Sequence, residues 1–369
     1  MISRKRIFAI SFWIYLAFLS ACSQTAAYQP KAIFYLKGLY EERQVWRLAL
    51  DGSSNEQITH ESAGVESYSV SSRDSNLAFV SANQLFLVDA DGENRLLIAD
   101  GTIIDENIQD YVFHGFVSNP VFSPDGRTLA YDFDGLHLYD ISSGEDDHVL
   151  TNLGNLLDEP FVFAKEVYSP AAWSPDGSML LFSMSYYEGS TLAIMEPGES
   201  QPFRRLRSSG AVCCHYNWTM DNRAVLVGNP NFTTNPPGLW RFDTESGEEV
   251  EIFGLKPGDP FLSYVGWPFQ LTSTSDLVFF NANMDHFSPE EGIQLKMVRS
   301  RADGSEITAI REEDFAPRQV LWAGDGFYAV ILGRYNDGEG QIILAKTDGS
   351  PLEVLLTNAR NVTSLSWGP

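Results

Sequence analysis

Residues 122–131 read Phe-Ser-Pro-Asp-Gly-Arg-Thr-Leu-Ala-Tyr, and residues 173–182 read Trp-Ser-Pro-Asp-Gly-Ser-Met-Leu-Leu-Phe. In both stretches an aromatic residue stands seven positions before an apolar triplet, with a Pro-Asp-Gly turn between them. Glycine accepts the positive φ that such turns need, so each stretch predicts two short antiparallel strands joined by a tight turn. No segment shows a long helical period, which makes this hairpin the unit of the fold.

The hairpin unit recurs along the chain. The same offset of seven appears at Val70/Leu77, Trp218/Val225 and Trp322/Ala329, and Trp267 precedes Leu277 with three residues inserted. In each unit the apolar triplet is followed by another short strand, which ends in a further glycine turn. These turns are at Asp51-Gly52, Asp91-Gly92, Ser143-Gly144, Pro197-Gly198, Ser246-Gly247, Asp303-Gly304 and Asp348-Gly349. Seven turns roughly 40 to 55 residues apart have the spacing of four-stranded propeller blades. The sequence therefore predicts an all-β fold, a seven-bladed β-propeller of antiparallel blades.

The two ends of the repeat array complete one blade. The chain ends in Leu365-Ser-Trp-Gly-Pro369, a first-strand motif with no blade after it. The segment Ala32–Leu36 resembles a second strand with no first strand before it. A lone blade cannot bury both of its faces, so the blades must stack in a ring. We expect the C-terminal strand to complete the first blade and to close that ring.

At these motifs the chain resembles the TolB-type, WD-like β-propeller repeat, whose hallmark is an aromatic-Ser-Pro-Asp-Gly run followed by an Asp-Gly turn. The resemblance covers nearly all of residues 31–369. It is specific for the fold and not for a function, because one fold supports many activities. TolB itself has a separate N-terminal α/β domain, which this chain does not resemble.

The N-terminal residues are typical of a bacterial lipoprotein signal. Arg4, Lys5 and Arg6 precede an apolar stretch from Ile7 to Leu19, which is too short for a comfortable membrane span. Leu19-Ser-Ala-Cys22 resembles a lipobox, which implies a signal peptide at 1–21, lipidation of Cys22, a tether at 22–30 and one propeller domain at 31–369. An ordinary secretory signal is the alternative. The expected location is the cell envelope, at the outer membrane if the host has one.

Charge narrows the classes of partner. Removing residues 1–21 removes three positive charges, so the mature net charge is −24 − 3 = −27. Such acidity argues against nucleic acid as a partner, because the phosphate backbone requires a positive surface. We expect the lipid on Cys22 to hold the protein on the membrane. Oligomeric state is left open.

In an antiparallel blade, successive connections between strands lie at opposite ends of the ring. We call the end with the Ser-Pro-Asp-Gly and Asp-Gly turns the first face, and the opposite end the second face. Long irregular connections are expected on the second face, where binding residues usually lie. Aromatics mixed with carboxylates there suit a protein, peptide or glycan ligand, unless the aromatics fold under their own loops. The candidate binding residues are Asp110, Tyr111, Phe113, His114, Phe161, Phe163, Tyr168, His215, Tyr216, Asp285, His286, Tyr335 and Asp337.

A metal-dependent activity is the alternative function. His114, His215 and His286 could converge near the channel mouth, and oligogalacturonate lyases use a similar propeller with a metal held by histidines. No metal-binding spacing such as His-Glu-x-x-His occurs here, so no cofactor is predicted although a divalent metal stays open.

Other chemistry has little support in the sequence. No Gly-x-Ser-x-Gly motif is present. Cys213 and Cys214 are expected as thiols, with a strained vicinal disulfide as the alternative. A non-enzymatic, membrane-anchored binding or scaffold module is therefore the preferred function, ahead of a metal-dependent polysaccharide lyase or hydrolase and a purely structural envelope component.

Overall fold

The computed structural model describes residues 30–102, 114–153, 166–186, 189–198, 203–206, 215–229, 238–254, 263–283, 294–335 and 340–369. These residues form seven four-stranded antiparallel sheets, which confirms the predicted propeller. From the innermost strand outward, blade 1 consists of β28 (Val362–Gly368), β1 (Ala32–Lys37), β2 (Gln44–Ala49) and β3 (Asn55–Gln57), with a 3-10 turn at Tyr40–Glu42.

The other blades run from the innermost to the outermost strand in chain order. Blade 2 is β4 (Ser67–Val70), β5 (Leu77–Ser81), β6 (Gln84–Val88) and β7 (Leu96–Asp100). Blade 3 is β8 (Ser118–Phe122), β9 (Thr128–Asp132), β10 (Gly135–Asp140) and β11 (Asp146–Thr151). Blade 4 is β12 (Val167–Trp173), β13 (Leu180–Tyr186), β14 (Gly189–Met195) and β15 (Arg204–Leu206).

The last three blades complete the ring. Blade 5 is β16 (His215–Trp218), β17 (Ala224–Asn229), β18 (Gly238–Asp243) and β19 (Glu249–Gly254). Blade 6 is β20 (Ser263–Gln270), β21 (Leu277–Asn283), β22 (Lys296–Ser300) and β23 (Thr308–Ala309). Blade 7 is β24 (Phe315–Trp322), β25 (Tyr328–Tyr335), β26 (Gln341–Lys346) and β27 (Glu353–Leu356).

The ring closes as the sequence predicts. Strand β28 pairs antiparallel with β1, with Ala32 opposite Gly368 and Lys37 opposite Val362. Val362 and Leu365 are buried in the core between blades 7 and 1. The last strand of the chain is therefore the innermost strand of its first blade.

Each blade contributes its two faces to two different cores. In β5, Leu77 and Phe79 pack with residues of blade 1, whereas Ala78 and Val80 pack with residues of blade 3. Side chains alternate across a strand, so a strand between two cores must be apolar at every position. This is why the second strands appear as unbroken apolar triplets in the sequence.

The repeated tryptophans join neighbouring blades through their indole groups. Trp173 Nε1 donates a hydrogen bond to the carbonyl of Val121 on the preceding blade, at 3.1 Å. The same contact recurs from Trp218 to Ala172, from Trp322 to Trp267 and from Trp367 to Trp322. The aromatic position of the motif thus supplies apolar burial and an interblade hydrogen bond together.

The Ser-x-Asp-Gly turns satisfy their own polar groups. Ser174 Oγ donates to Asp176 at 2.7 Å and accepts from Met179 N at 2.9 Å, while Asp176 accepts from Ser178 N. Gly177 supplies the positive φ of 75° that this turn requires. The motif is therefore a local hydrogen-bonding unit on the first face.

Several innermost strands are interrupted where the sequence has proline. The pairing register shifts around Pro120, Pro170, Pro268 and Pro317, each in the innermost strand of its blade. Proline has no N–H to donate, so it is tolerated on a sheet edge or at a bulge. In blade 6, Gln270 rather than Trp267 lies opposite Leu277, so the three-residue insertion predicted there is wrong. Trp267 lies in the bulge, at a φ of 48°.

Candidate functional site

The second face carries an exposed tyrosine in a strained backbone conformation. Tyr40 opens the 3-10 turn between β1 and β2, and its side chain is 82% exposed. Its φ is 45°, in the left-handed region that costs a residue with a Cβ roughly 1 to 2 kcal/mol. Leu39, the residue before it, is also exposed. Little of the Tyr40 side chain is buried, so this turn displays apolar surface at a cost in stability.

Exposed aromatic rings also lie on two other blades of the second face. Phe116, 54% exposed, is in the connection from blade 2 to blade 3. Tyr186, 40% exposed, ends β13 of blade 4. We call Tyr40, Phe116 and Tyr186 the aromatic rim. None of the three is among the candidate binding residues of the sequence analysis.

Connections on either side of blade 3 meet at one sector of the second face. His114 Nδ1 pairs with a carboxylate oxygen of Asp134, in the tight turn between β9 and β10. The carbonyl of Asp134 accepts a hydrogen bond from Asn152 N at 2.9 Å, and Asn152 Oδ1 accepts one from Tyr168 N at 2.9 Å. Two predicted residues, His114 and Tyr168, are thus linked through Asp134 and Asn152.

Tyr168 contributes its hydroxyl rather than its ring to this sector. Its ring is buried beside Phe182 and Phe203 in the core between blades 3 and 4. Its hydroxyl donates to Glu166 at 2.6 Å, and Glu166 also accepts a hydrogen bond from Arg205 at 2.7 Å. Burial, followed by the hydrogen bond to Glu166, raises the pKa of Tyr168 above its ordinary value. The phenol is held as a neutral donor.

Two stacked histidines, His137 and His148, lie on the face of blade 3 that is turned toward blade 2. The ring of His137 is stacked between Tyr131 and His148, with ring centroids 4.9 and 4.2 Å away. His137 Nδ1 donates to Asp146 at 3.1 Å. The exposed His148 donates through Nε2 to the carbonyl of Asp134 at 3.1 Å, which connects this stack with the His114 pair.

The channel wall of blades 2 to 4 is a row of small polar side chains. Asn119 Nδ2 donates to Ser169 Oγ at 2.7 Å, and Asn119 N donates to Ser67 Oγ at 3.3 Å. Ser118 Oγ donates to Asp132 at 3.2 Å. Burial raises the pKa of Asp132 to about 7, although hydrogen bonds from Ser118 and Ser169 lower it. A carboxyl that binds a proton near neutrality therefore lies behind the wall.

The sequence analysis did not identify Asp132 or Asn119. The signal for Asn119 was the Asn119-Pro120 step inside a predicted strand, because proline in an innermost strand marks a bulge that can turn a side chain toward the channel.

His215 and Tyr216 lie on β16 of blade 5, away from the blade 3 sector. The ring of His215 is stacked on Trp267 of blade 6, with centroids 3.8 Å apart. Burial lowers the pKa of His215 to about 4, which keeps this ring neutral at physiological pH. Tyr216 is half-buried against the core between blades 4 and 5, and burial raises its pKa.

Several predicted residues lie outside the residues that the structure describes. They are Cys22, Asp110, Tyr111, Phe113, Phe161, Phe163, Cys213, Cys214, Asp285, His286 and Asp337. Only the backbone of Tyr335 is described, at the end of β25 opposite Phe315.

No group of three or more His, Cys, Asp or Glu among the described residues is arranged to hold a metal ion. His114 and His215, the two described metal candidates, contact Asp134 and Trp267 respectively, on different blades. Within the described ranges no helix is long and apolar enough to span a bilayer.

Comparisons with known proteins show the fold. No family profile and no curated protein matches the chain. Solved structures do match, including TolB from Acinetobacter baumannii, at 14% identity over 91% of this chain and 82% of that chain, with a TM-score of 0.45. Prolyl oligopeptidase B from Galerina marginata is 12% identical over 88% of this chain and 48% of that chain, with a TM-score of 0.57.

Dipeptidyl peptidase 4 from Porphyromonas gingivalis is likewise 12% identical over 89% of this chain and 51% of that chain, with a TM-score of 0.54. The chain therefore spans about half the length of each peptidase. At these identities the likeness is one of fold, a propeller of the kind that the TolB-type repeat predicted, and it assigns no activity.

Proposed function

We propose that this chain is an extracytoplasmic propeller, anchored through lipidated Cys22, that binds a protein, peptide or glycan on its second face. The expected location is the bacterial cell envelope, at the outer membrane where the host has one. The anchor rests on the lipobox-like Leu19-Ser-Ala-Cys22 at the end of a short apolar stretch. The binding role rests on the aromatic rim.

Tyr40 is the observation that carries the binding role. A side chain that is exposed and held at a positive φ contributes nothing to the core, and it lowers the stability of the turn that presents it. Phe116 and Tyr186 add exposed rings on other blades of the same face. Tyrosine and phenylalanine supply much contact area for few rotatable bonds, which favours recognition by stacking.

The chemistry of the second face favours ligands with cationic or hydroxyl groups. Asp134 and Glu166 lie in the blade 3 sector, and the chain carries a formal net charge of −24. Carboxylates make strong hydrogen bonds with basic side chains, and aromatic rings stack on sugars. A basic peptide segment and a neutral glycan both fit this description, whereas a nucleic acid would be repelled.

The binding role can be tested by removing the aromatic rim. The triple variant Tyr40→Ser, Phe116→Ser and Tyr186→Ser should recover fewer partners than the wild type from a bacterial envelope extract. The matched control changes exposed apolar residues of the first face, Phe327→Ser and Met220→Ser, which are 47% and 41% exposed. A loss in the control equal to that in the triple variant, or no loss in either, would count against the second face.

The anchor has a separate test. When the full chain is produced in a bacterium that is fed labelled palmitate, label should enter the wild type and not Cys22→Ala. Label-free wild-type protein recovered in the soluble periplasmic fraction would show that the ordinary secretory signal is the correct interpretation.

A further inference from the structure

We infer that the anchored propeller turns its first face toward the bilayer and its second face away from it. This orientation rests on the proposed anchor at Cys22. It is supported by the position of Lys31, one of the first residues that the structure describes. Leu50 N donates to the carbonyl of Lys31 at 2.9 Å, and Lys31 N donates to the carbonyl of Gly368 at 3.2 Å. The chain therefore enters blade 1 beside the turn between β2 and β3 and beside the end of β28.

Both neighbours belong to the first face. Ala32 is paired with Ala49, immediately before the Asp51-Gly52 turn, and with Gly368. At the other end of β1, Lys37 leads into the connection that contains Tyr40. The tether and the connection that contains Tyr40 are thus attached to opposite ends of the same strand.

The length of the tether decides whether the ring can turn over. Seven residues lie between Cys22 and Pro30, so eight residue-to-residue steps separate the two, and these span at most about 28 Å when fully extended. To bring the second face to the bilayer, the tether must first run the length of β1, six residues or about 20 Å. Passing outward over β2 and β3 adds about 10 Å. The path already exceeds the reach of the tether before the second-face connections are cleared.

The charge of the first face defines the lipid surface that it fits. Its turns carry carboxylates whose own hydroxyl and N–H partners keep them ionised. The Ser142 hydroxyl and the Ser143 groups lower the pKa of Asp140 to about 2, and the Ser53 and Ser350 groups lower the pKa of Asp51 and Asp348. An acidic face is repelled by anionic headgroups, so a zwitterionic surface suits it better.

The orientation can be measured by fluorescence quenching on the full lipidated chain. Two proteins with one free thiol each are made in a Cys213→Ser, Cys214→Ser background that keeps Cys22, one with Ser53→Cys on the first face and one with Ser62→Cys on the second. Both serines are exposed turn residues of blade 1, and Ser62 is two residues from Gly64, which lies against the Tyr40 carbonyl. Each protein is labelled with a fluorophore and bound to phosphatidylcholine vesicles that contain headgroup-spin-labelled lipid.

We expect a strong loss of fluorescence at Ser53→Cys and little at Ser62→Cys. Insertion of twelve Gly and Ser residues into the tether should reduce this difference, because a longer tether allows the ring to turn. Equal or reversed quenching in vesicle-bound protein, or a difference unchanged by the longer tether, would overturn the orientation. If the wild type did not bind vesicles better than Cys22→Ala, the anchor itself would be wrong, and the orientation with it.

Discussion

The two faces of the ring satisfy their polar groups in different ways. On the first face, each turn forms hydrogen bonds within itself, as between Ser174 and Asp176 or between Asp140 and Ser142, and a few bonds such as that from Asp176 N to Asn222 join neighbouring turns. On the second face, partners come from distant parts of the chain, as between His114 and Asp134. The first face is therefore encoded by a repeat, and the second by single residues. The binding role proposed for the second face would therefore depend on residues that differ from blade to blade.

The largest difference in unfolding free energy is expected between substitutions of one glycine on each face. Gly135, in the second-face turn after Asp134, has a φ of 126°, and a Cβ there would lie 1.9 Å from the Leu150 carbonyl oxygen. Gly135→Ala should lower the free energy of unfolding by about 3 to 5 kcal/mol, measured by urea denaturation. Gly52, at φ 71° on the first face, has nothing within 4 Å of such a Cβ.

For this reason Gly52→Ala is the control, with an expected loss of about 1 to 2 kcal/mol. Similar losses in the two variants would show that the two faces tolerate change equally.

A second effect concerns the response to pH of a carboxyl near each face. The pKa of Asp132 is raised to about 7 by burial, so the neutral form stabilises the fold. This stabilisation is complete below the unfolded pKa near 4 and is lost as the pH rises through 7, on the order of 2 to 4 kcal/mol. Asp132→Asn should flatten the decline in unfolding free energy between pH 5 and pH 8.

Asp140 on the first face has the opposite sign and serves as the control. Its pKa is lowered to about 2 by hydrogen bonds from Ser142 and Ser143, so its contribution is present above the unfolded pKa and is lost as the pH falls through 2. Asp140→Asn should leave the slope between pH 5 and pH 8 unchanged. A slope that persists in Asp132→Asn would assign the titration to another group.

A third effect tests the interblade hydrogen bonds that the repeat itself supplies. Trp173→Phe retains a buried ring but leaves the Val121 carbonyl without its indole donor, and should lower the unfolding free energy by about 1 to 2 kcal/mol. Trp46→Phe changes a half-buried tryptophan of an outer strand and should have a smaller effect. Equal losses would mean that ring volume, rather than the interblade bond, is what stabilises the ring.

The smallest effect is a gain in stability. Glycine accepts the φ of 45° at residue 40 without a Cβ penalty, so Tyr40→Gly should raise the unfolding free energy by about 0.5 kcal/mol. Tyr40→Ala removes the same ring without relieving the backbone and should bring no gain. A loss of stability in Tyr40→Gly would show that the ring supports the turn, which would weaken the binding role proposed for it.

The fold could be predicted from the sequence further than the site could. Motifs such as Trp173-Ser-Pro-Asp-Gly177 contain their own turn geometry and hydrogen bonds, so blade number and closure followed from local patterns. The misplaced insertion at Trp267 arose because a β-bulge shifts the register without leaving a gap in the sequence. Tyr40 was not identified because neither its exposure nor its φ is visible in a sequence.

The sequence alone indicates an all-β ring of seven blades closed by its last strand, because the motifs that specify each blade are local and recur along the chain, so that an incomplete blade at each end can be recognised. Which residues meet on the second face depends on the tertiary structure. His114, Asp134 and Asn152 come from three separate connections around blade 3, and the raised pKa of Asp132 depends on its burial. The side of the ring at which the chain enters blade 1 also depends on the folded structure, because β1 is the second strand of its blade and β28 is the first.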